Sequence, residues 1–183
     1  MKNILAVLFI ALSAASDTQA AKYTIDKDHS SVMFKIRHLT GKTDGAFTDF
    51  AGTFEFDEKQ PAKSSVEATI QIASVDTRNA KRDGHLRTAD FFDVEKFPAM
   101  TYKSTKVTSA GKNKFKVLGT LSMHGVEKPV TLNVEYFGEA KAKDAVVAGF
   151  SATGKLNRKD FGVGGLMLGE DVEIFLEVEA VKQ

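Results

Sequence analysis

Cysteine is absent from the 183 residues, and so is tryptophan. Without cysteine no disulfide can staple the fold, so stability has to come from burial of a core. An excess of charge of either sign is lacking as well: 25 Lys and Arg stand against 24 Asp and Glu, a net charge of +1. That balance argues against a nucleic-acid binder, which carries a basic excess. Beyond the N-terminus no hydrophobic run reaches membrane-spanning length. Signatures of chemistry are missing too. There is no G-x-S-x-G nucleophile elbow, and the glycine-rich Asp160–Gly169 stretch lacks the Lys and Ser/Thr of a phosphate loop. The four histidines, His29, His38, His85 and His124, have no H-E-x-x-H or H-x-H spacing. No metal ligand is assigned, and a zinc site could arise only by tertiary assembly.

What is present begins with an address. Lys2, the apolar run Ile4–Ala15 and the small-x-small triplet Thr18-Gln19-Ala20 read as a secretory signal peptide over residues 1–20. No Cys follows it, so a lipoprotein anchor is not expected. Residues 21–183 then form one domain, expected in the periplasm, with enough chain for a sizeable core.

From Tyr23 onward the pattern has period two. Val32, Phe34, Ile36 and His38 share one face, and Gly52, Phe54 and Phe56 another. Further alternating runs centre on Val66–Ile72, Met100–Tyr102, Phe115–Met123, Val130–Tyr136, Ala148–Leu156 and Val172–Ala180. Thr43-Asp44-Gly45 and His124 to Pro129 read as turns between them. Eight strands joined mostly by short turns predict an all-β antiparallel meander. Such a meander removes its exposed edges by closing into a barrel. A two-sheet sandwich is the structural rival. Gly52, Gly119, Gly149 and Gly154 inside strands favour the barrel, because they relieve crowding at bends or leave room for a ligand.

One stretch breaks the alternation. Asp76–Pro98 has helical punctuation, with Thr77 or Asp76 expected to cap a short helix over 78–86 and Thr88 a second turn into Phe91 and Phe92. This insert falls between strands 3 and 4 and is expected to cover an end of the barrel. Phenylalanine is the unusual abundance, at 14. An ordinary aromatic core would explain it, and so would an apolar tunnel for a long lipid tail. About ten buried methylenes, at ~0.8 kcal/mol each, give a gross ~8 kcal/mol, the scale of micromolar binding before costs. Asp83 and His85, with Arg82, Arg87 and Asp90, form the densest ionisable group. It can be read as a solvated capped helix, as contacts to a ligand head group, or as an acid–base pair. Arg158 is a fixed charge suited to an anionic head group.

Several blocks together resemble the YceI-like family of periplasmic, lipocalin-like proteins. They are Tyr23-x-Ile25-Asp26-x-x-His29-Ser30-x-Val32-x-Phe34, Ser74-Val75-Asp76-Thr77, Asp83-x-His85-Leu86 with Asp90-Phe91-Phe92-Asp93, and Arg158-x-Asp160-Phe161-Gly162. The resemblance implies an eight-stranded antiparallel lipocalin-like barrel with a short helical insert. It also implies a bound long amphiphile, either a polyisoprenoid such as a quinone tail or a fatty-acid-like chain, and no other cofactor. Membrane cytochromes of the b561 type are implied as one class of partner, and a homodimer is left open. On this reading Phe34, Phe54, Phe56, Phe92 and Phe150 line the tunnel. Ile36, Val117, Leu121, Leu132 and Leu176 complete its wall. His38, Asp83, His85 and Arg158 are expected at the polar end, with no catalytic residue. The rivals are an enzyme acting on a lipid head group through Asp83 and His85, and a ligand-free interaction module.

Overall fold

A computed structural model of the chain describes residues 19–183. The export signal expected over residues 1–20 falls, but for its last two residues, outside the described part. Ten strand segments build one antiparallel sheet: β1 (Ala21–His38), β2 (Gly41–Phe47), β3 (Phe50–Phe56), β4 (Ser65–Gln71) and β5 (Val75–Asp76), then β6 (Ala99–Gly111), β7 (Lys114–Met123), β8 (Val126–Ala142), β9 (Ala145–Asn157) and β10 (Leu168–Lys182). Among the described residues a single α-helix, α1 (Ala80–Leu86), lies between β5 and β6.

These ten segments make eight barrel strands, because two of them are broken. β1 pairs with β2 through Val32–His38 and with β3 through Ala21–Thr24, so β2 and β3 are two halves of one strand. Likewise β4 pairs with β3, while β5 pairs with β2 through Ala46 and Phe47. Backbone bonds from Thr48 N to Ser74 O and from Gln71 N to Asp49 O carry the ladder across both breaks. The ring closes where β10 pairs with β1, in a register that sets Val32 opposite Leu176 and Phe34 opposite Ile174. The barrel is thus confirmed over the sandwich.

The pleat decides what faces inward. Along β7, Phe115, Val117, Gly119, Leu121 and Met123 are buried while Lys114, Lys116 and Leu118 are exposed. Gly119 is inward for a steric reason: a Cβ there would lie 2.4 Å from Cζ of Tyr102. The Tyr102 hydroxyl donates to the carbonyls of Val117 and Val130, so this ring is a fixed internal strut. Among the described residues no helix is long and apolar enough to cross a membrane.

Three local expectations need correction. Gly41 to Gly45 is strand β2 rather than a turn, and the reversal occurs earlier at Leu39, which adopts φ 51°. Gly45 is needed for packing, since a Cβ would meet the Phe34 ring at 2.5 Å. The second turn shrinks to His124-Gly125, both at positive φ, and Pro129 lies within β8 opposite Thr120. The helix starts at Ala80 with Asn79 as its cap, its side chain accepting from Arg82 N. Thr88 organises a hydrogen-bonded turn through its carbonyl, to Phe91 N and Asp93 N, and caps no helix.

Gly119→Ala should force Tyr102 from its place and destabilise the barrel by about 1–3 kcal/mol, a typical overpacking penalty. Gly149→Ala, whose Cβ would meet nothing closer than 3.5 Å, is the control and should not lower stability. Thermal unfolding followed by circular dichroism separates the two. Equal melting temperatures for both variants would show that Tyr102 is not a rigid strut.

Candidate ligand cavity

Closing the sheet leaves a cavity of about 370 Å³ along the barrel axis. That lies within the roughly 300–1,000 Å³ typical of small-molecule sites. All ten residues expected to form a tunnel line it, from Phe34 and Ile36 on β1 to Leu176 on β10. Phe92 reaches it from the insert, with Phe91 and Leu86 beside it.

The two ends are built differently. At the end away from α1, six aromatic rings pack together: Tyr23, Phe54, Phe56, Phe115, Tyr136 and Phe150. Tyr23 stacks on Phe54 at 5.0 Å, while Phe56 makes edge contacts with Phe115, Tyr136 and Phe150 at 4.9–5.3 Å. Offset and edge-to-face pairs of this kind are the favoured aromatic geometries. The Tyr23 hydroxyl donates to Glu139, which also accepts from Lys182. Phe54, Phe56, Phe115 and Phe150 form the cavity floor, with Tyr23 and Tyr136 packed behind them.

At the α1 end the lining turns polar, with His38, Thr43, Thr77, Arg82 and Arg158. His38 is where it was expected, at the end of β1 opposite Gly41 and Leu168. Asp83 is not in the cavity wall. It is buried, and one carboxylate oxygen accepts from both the backbone N and the hydroxyl of Thr77. Thr77 in turn takes two bonds from Arg82: Nε to its hydroxyl at 2.7 Å and Nη2 to its carbonyl at 2.8 Å. Arg87 donates to the carbonyls of Ala73 and Val75. The ionisable group of the insert therefore ties it to the ends of β4 and β5. His85 lies outside, exposed, with Nε2 3.0 Å from Asp90 and its ring edge-on to Phe91. Asp83 and His85 thus have separate partners and do not form an acid–base pair.

Arg158 lines the cavity and is buried, but it offers nothing to an anionic head group. Its five N–H groups are all used by carbonyls. Nε donates to Gly169, Nη1 to Val163 and Gly164, and Nη2 to Gly165 and Leu168. The side chain is a hub around which the loop before β10 is wound. Thr43 and Thr77 were not foreseen as cavity residues, and Arg82 was read only as a member of the insert's ionisable group. Arg82 alone of the two lining arginines is exposed, with donors beyond its two bonds to Thr77.

Tertiary assembly brings together one group of potential metal-ligating atoms among the described residues. Asp26, His29 and Glu179 offer atoms within 4.8 Å of one another, and His29 Nδ1 is 2.8 Å from Asp26. None of the three lines the cavity.

The tie at Asp83 is sensitive to pH. Burial disfavours its charge, but the two bonds from Thr77 and the nearby Arg87 and Arg82 outweigh it and hold the carboxyl below its ordinary 3.8. A lowered carboxylate stabilises the folded state above its unfolded pKa and loses that contribution as pH falls through the folded value. Asp83→Asn should cost about 1–3 kcal/mol at neutral pH, the range for disrupting a buried bond. In melting curves taken at decreasing pH, the gap between parent and variant should close below about pH 4. A gap constant down to acid pH would remove the carboxylate from this role.

The comparisons agree with this architecture. The YceI-like domain model matches residues 23–180. A UPF0312 protein of Azotobacter vinelandii is 41% identical, with both chains covered in full. The crystal structure of a Campylobacter jejuni YCEI protein superposes with a TM-score of 0.72 at 38% identity, covering 81% of this chain and 91% of that one. A polyisoprenoid binding domain from Saccharophagus degradans shares the fold, with a TM-score of 0.65 at 15% identity over 90% of this chain and 99% of its own. With a family model spanning nearly the whole barrel and a full-length relative at this identity, the chain belongs to the YceI-like family.

Proposed function

We propose that this protein is an exported, periplasmic carrier that sequesters one long-chain amphiphilic lipid of the polyisoprenoid kind in its barrel. The observation that carries the reading is the asymmetry of the cavity. Its surface is almost wholly apolar, and five of its polar side chains, His38, Thr43, Thr77, Arg82 and Arg158, gather under the α1 insert, with Glu55, Ser64, Ser65 and Ser151 spread over the rest. A tail in the barrel and a head group near His38, Thr43 and Arg82 match that distribution. Burial of about ten methylenes supplies a gross ~8 kcal/mol without any polar bond to the tail. The Saccharophagus degradans domain is a polyisoprenoid binder, and at 15% identity its likeness reaches only the fold. The case for a lipid here therefore rests on the cavity. The address rests on the N-terminal export pattern, and a membrane cytochrome of the b561 type as partner rests on the family resemblance.

The geometry favours binding over catalysis. Asp83 is held by Thr77, His85 by Asp90, and Arg158 by five carbonyls, so none of the three is poised over a bound head group.

Native mass spectrometry of protein purified from its own periplasm, with organic extraction of what is bound, tests the reading. A near-stoichiometric polyprenyl or quinone is the expected result. A fatty acid or fatty amide would keep the carrier and remove the isoprenoid, and an empty protein that refuses added lipid would overturn both. Phe92→Ala should weaken lipid binding about tenfold, the equivalent of losing part of one buried aromatic side chain. Because Phe92 sits on the insert, the barrel should still fold, which unfolding curves would verify. Unchanged affinity would mean the tail does not reach the α1 end.

A further inference from the structure

Three of the most exposed large apolar side chains meet at the α1 end. Leu39, in the turn between β1 and β2, is 59% exposed; Met167 is 64% exposed and Leu166 wholly so. Leu39 N donates to the carbonyl of Met167, which puts the two loops in contact. Exposed apolar residues scattered singly need no explanation, but a cluster does.

This cluster is held out by construction. Arg158 binds the carbonyls of Val163, Gly164 and Gly165 on one side and of Leu168 and Gly169 on the other, and skips Leu166 and Met167. Gly164 and Gly165 press the loop against the insert. A Cβ on the first would lie 2.3 Å from the Asp90 carbonyl oxygen, and on the second 3.0 Å from the Phe91 ring. A loose loop could fold Leu166 and Met167 onto the barrel. This one is anchored on both flanks and presents them to solvent.

The apolar surface is also continuous with the cavity. His38 and Leu168 line the cavity, sit opposite each other in the β1–β10 register, and directly adjoin Leu39 and Met167 in the chain. The other end is packed with six rings, so the α1 end is where a lipid would come and go. Three nearby cations are matched by acids, Lys42 with Glu173, Arg78 with Asp44 and Lys159 with Glu170, while Arg37 donates to the Leu39 carbonyl and Arg82 to Thr77. Attraction to a bilayer at this end rests on the apolar tip, and an anionic lipid would add to it through those two arginines.

We propose that Leu39, Leu166 and Met167 form a tip that inserts into a lipid bilayer, through which the barrel exchanges its cargo. The inference deepens the carrier reading and rests on it. The occupant of this surface is the bilayer itself.

The lack of cysteine allows a clean test, since Met167→Cys creates a single thiol for an environment-sensitive fluorophore. Lys112→Cys, in the β6–β7 turn at the far end, is the control. On addition of phosphatidylcholine vesicles the label at 167 should shift to the blue and brighten, and the label at 112 should not. Leu39→Ser with Leu166→Ser should abolish that response. In the unlabelled protein, the same pair should slow vesicle-to-vesicle transfer of a pyrene-labelled long-chain lipid at least about tenfold, as expected when two apolar side chains no longer enter the bilayer. Equilibrium binding of the lipid should be unchanged. No response at 167 would overturn the tip, as would a response that appears only with anionic vesicles. A response to membrane-protein-containing vesicles but not to protein-free ones would also overturn it, pointing to a protein groove. Insertion without lipid transfer would keep the tip and sink the carrier reading, so the two fail separately.

Discussion

Pairing of β1 with β10 is the contact on which the rest depends. Once those strands join, the sheet has no open edge along the barrel and every inward position is committed to one enclosed space. Register then leaves no latitude, since a slip by one residue would turn Phe34 and Ile174 outward and Lys35 and Glu173 inward. The interior must be apolar, because an isolated charge there would meet neither water nor partner. Tyr102 is the polar group in the middle of the wall, and both its bonds go to main-chain carbonyls, burial pushing its phenol up to about 12.

The same constraint explains why the ends differ. An eight-stranded barrel can fill its bore with side chains or hold a small ligand, and this one does the first at its floor and leaves a cavity above it. The floor needs only large rings in mutually favourable orientations. The mouth needs loops held in shape without a hydrophobic core of their own, and arginine does this. The Arg158 guanidinium has no carboxylate among its bonded partners, yet five carbonyl dipoles replace its water. Charge-assisted bonds of this kind are roughly twice as strong as neutral ones. Arg87 and Arg82 do the same for the insert. The result is a mouth whose shape is set by the main chain.

The division between what could be read from the residues and what could not follows from range. Alternation is a local signal, so the inward rows of β1, β7 and β10 were legible before any coordinates, and nine of the ten residues named for the tunnel wall lie on such rows; Phe92, on the insert, does not. Gly45 was misread because a glycine after Thr-Asp has the composition of a turn, while its actual reason, the Phe34 ring lying across it, comes from the neighbouring strand. The helix cap was misplaced by two to three residues, since Asp76, Thr77 and Asn79 are all chemically able to cap. The polar end was the least legible. Asp83 and Arg158 looked like groups awaiting a ligand, and both are consumed by partners in their own neighbourhood. A bond to a carbonyl leaves no trace in the residue type that accepts it.

This arrangement has a consequence for selectivity. Along its length the wall offers shape and few hydrogen-bonding groups, so lipid tails of similar length and girth would differ little in what they gain there. Discrimination by bonding requires a group that is left unpaired by the wrong ligand. Such groups are densest near the mouth, where Arg82 keeps unused donors and His38 and Thr43 face the same space; Glu55, Ser64, Ser65 and Ser151 are the polar lining elsewhere. Arg158 contributes no donor of its own but fixes the loop beside them. On the carrier reading, the barrel sets how long and how apolar a cargo must be, and a few residues under the α1 insert set which head group it carries.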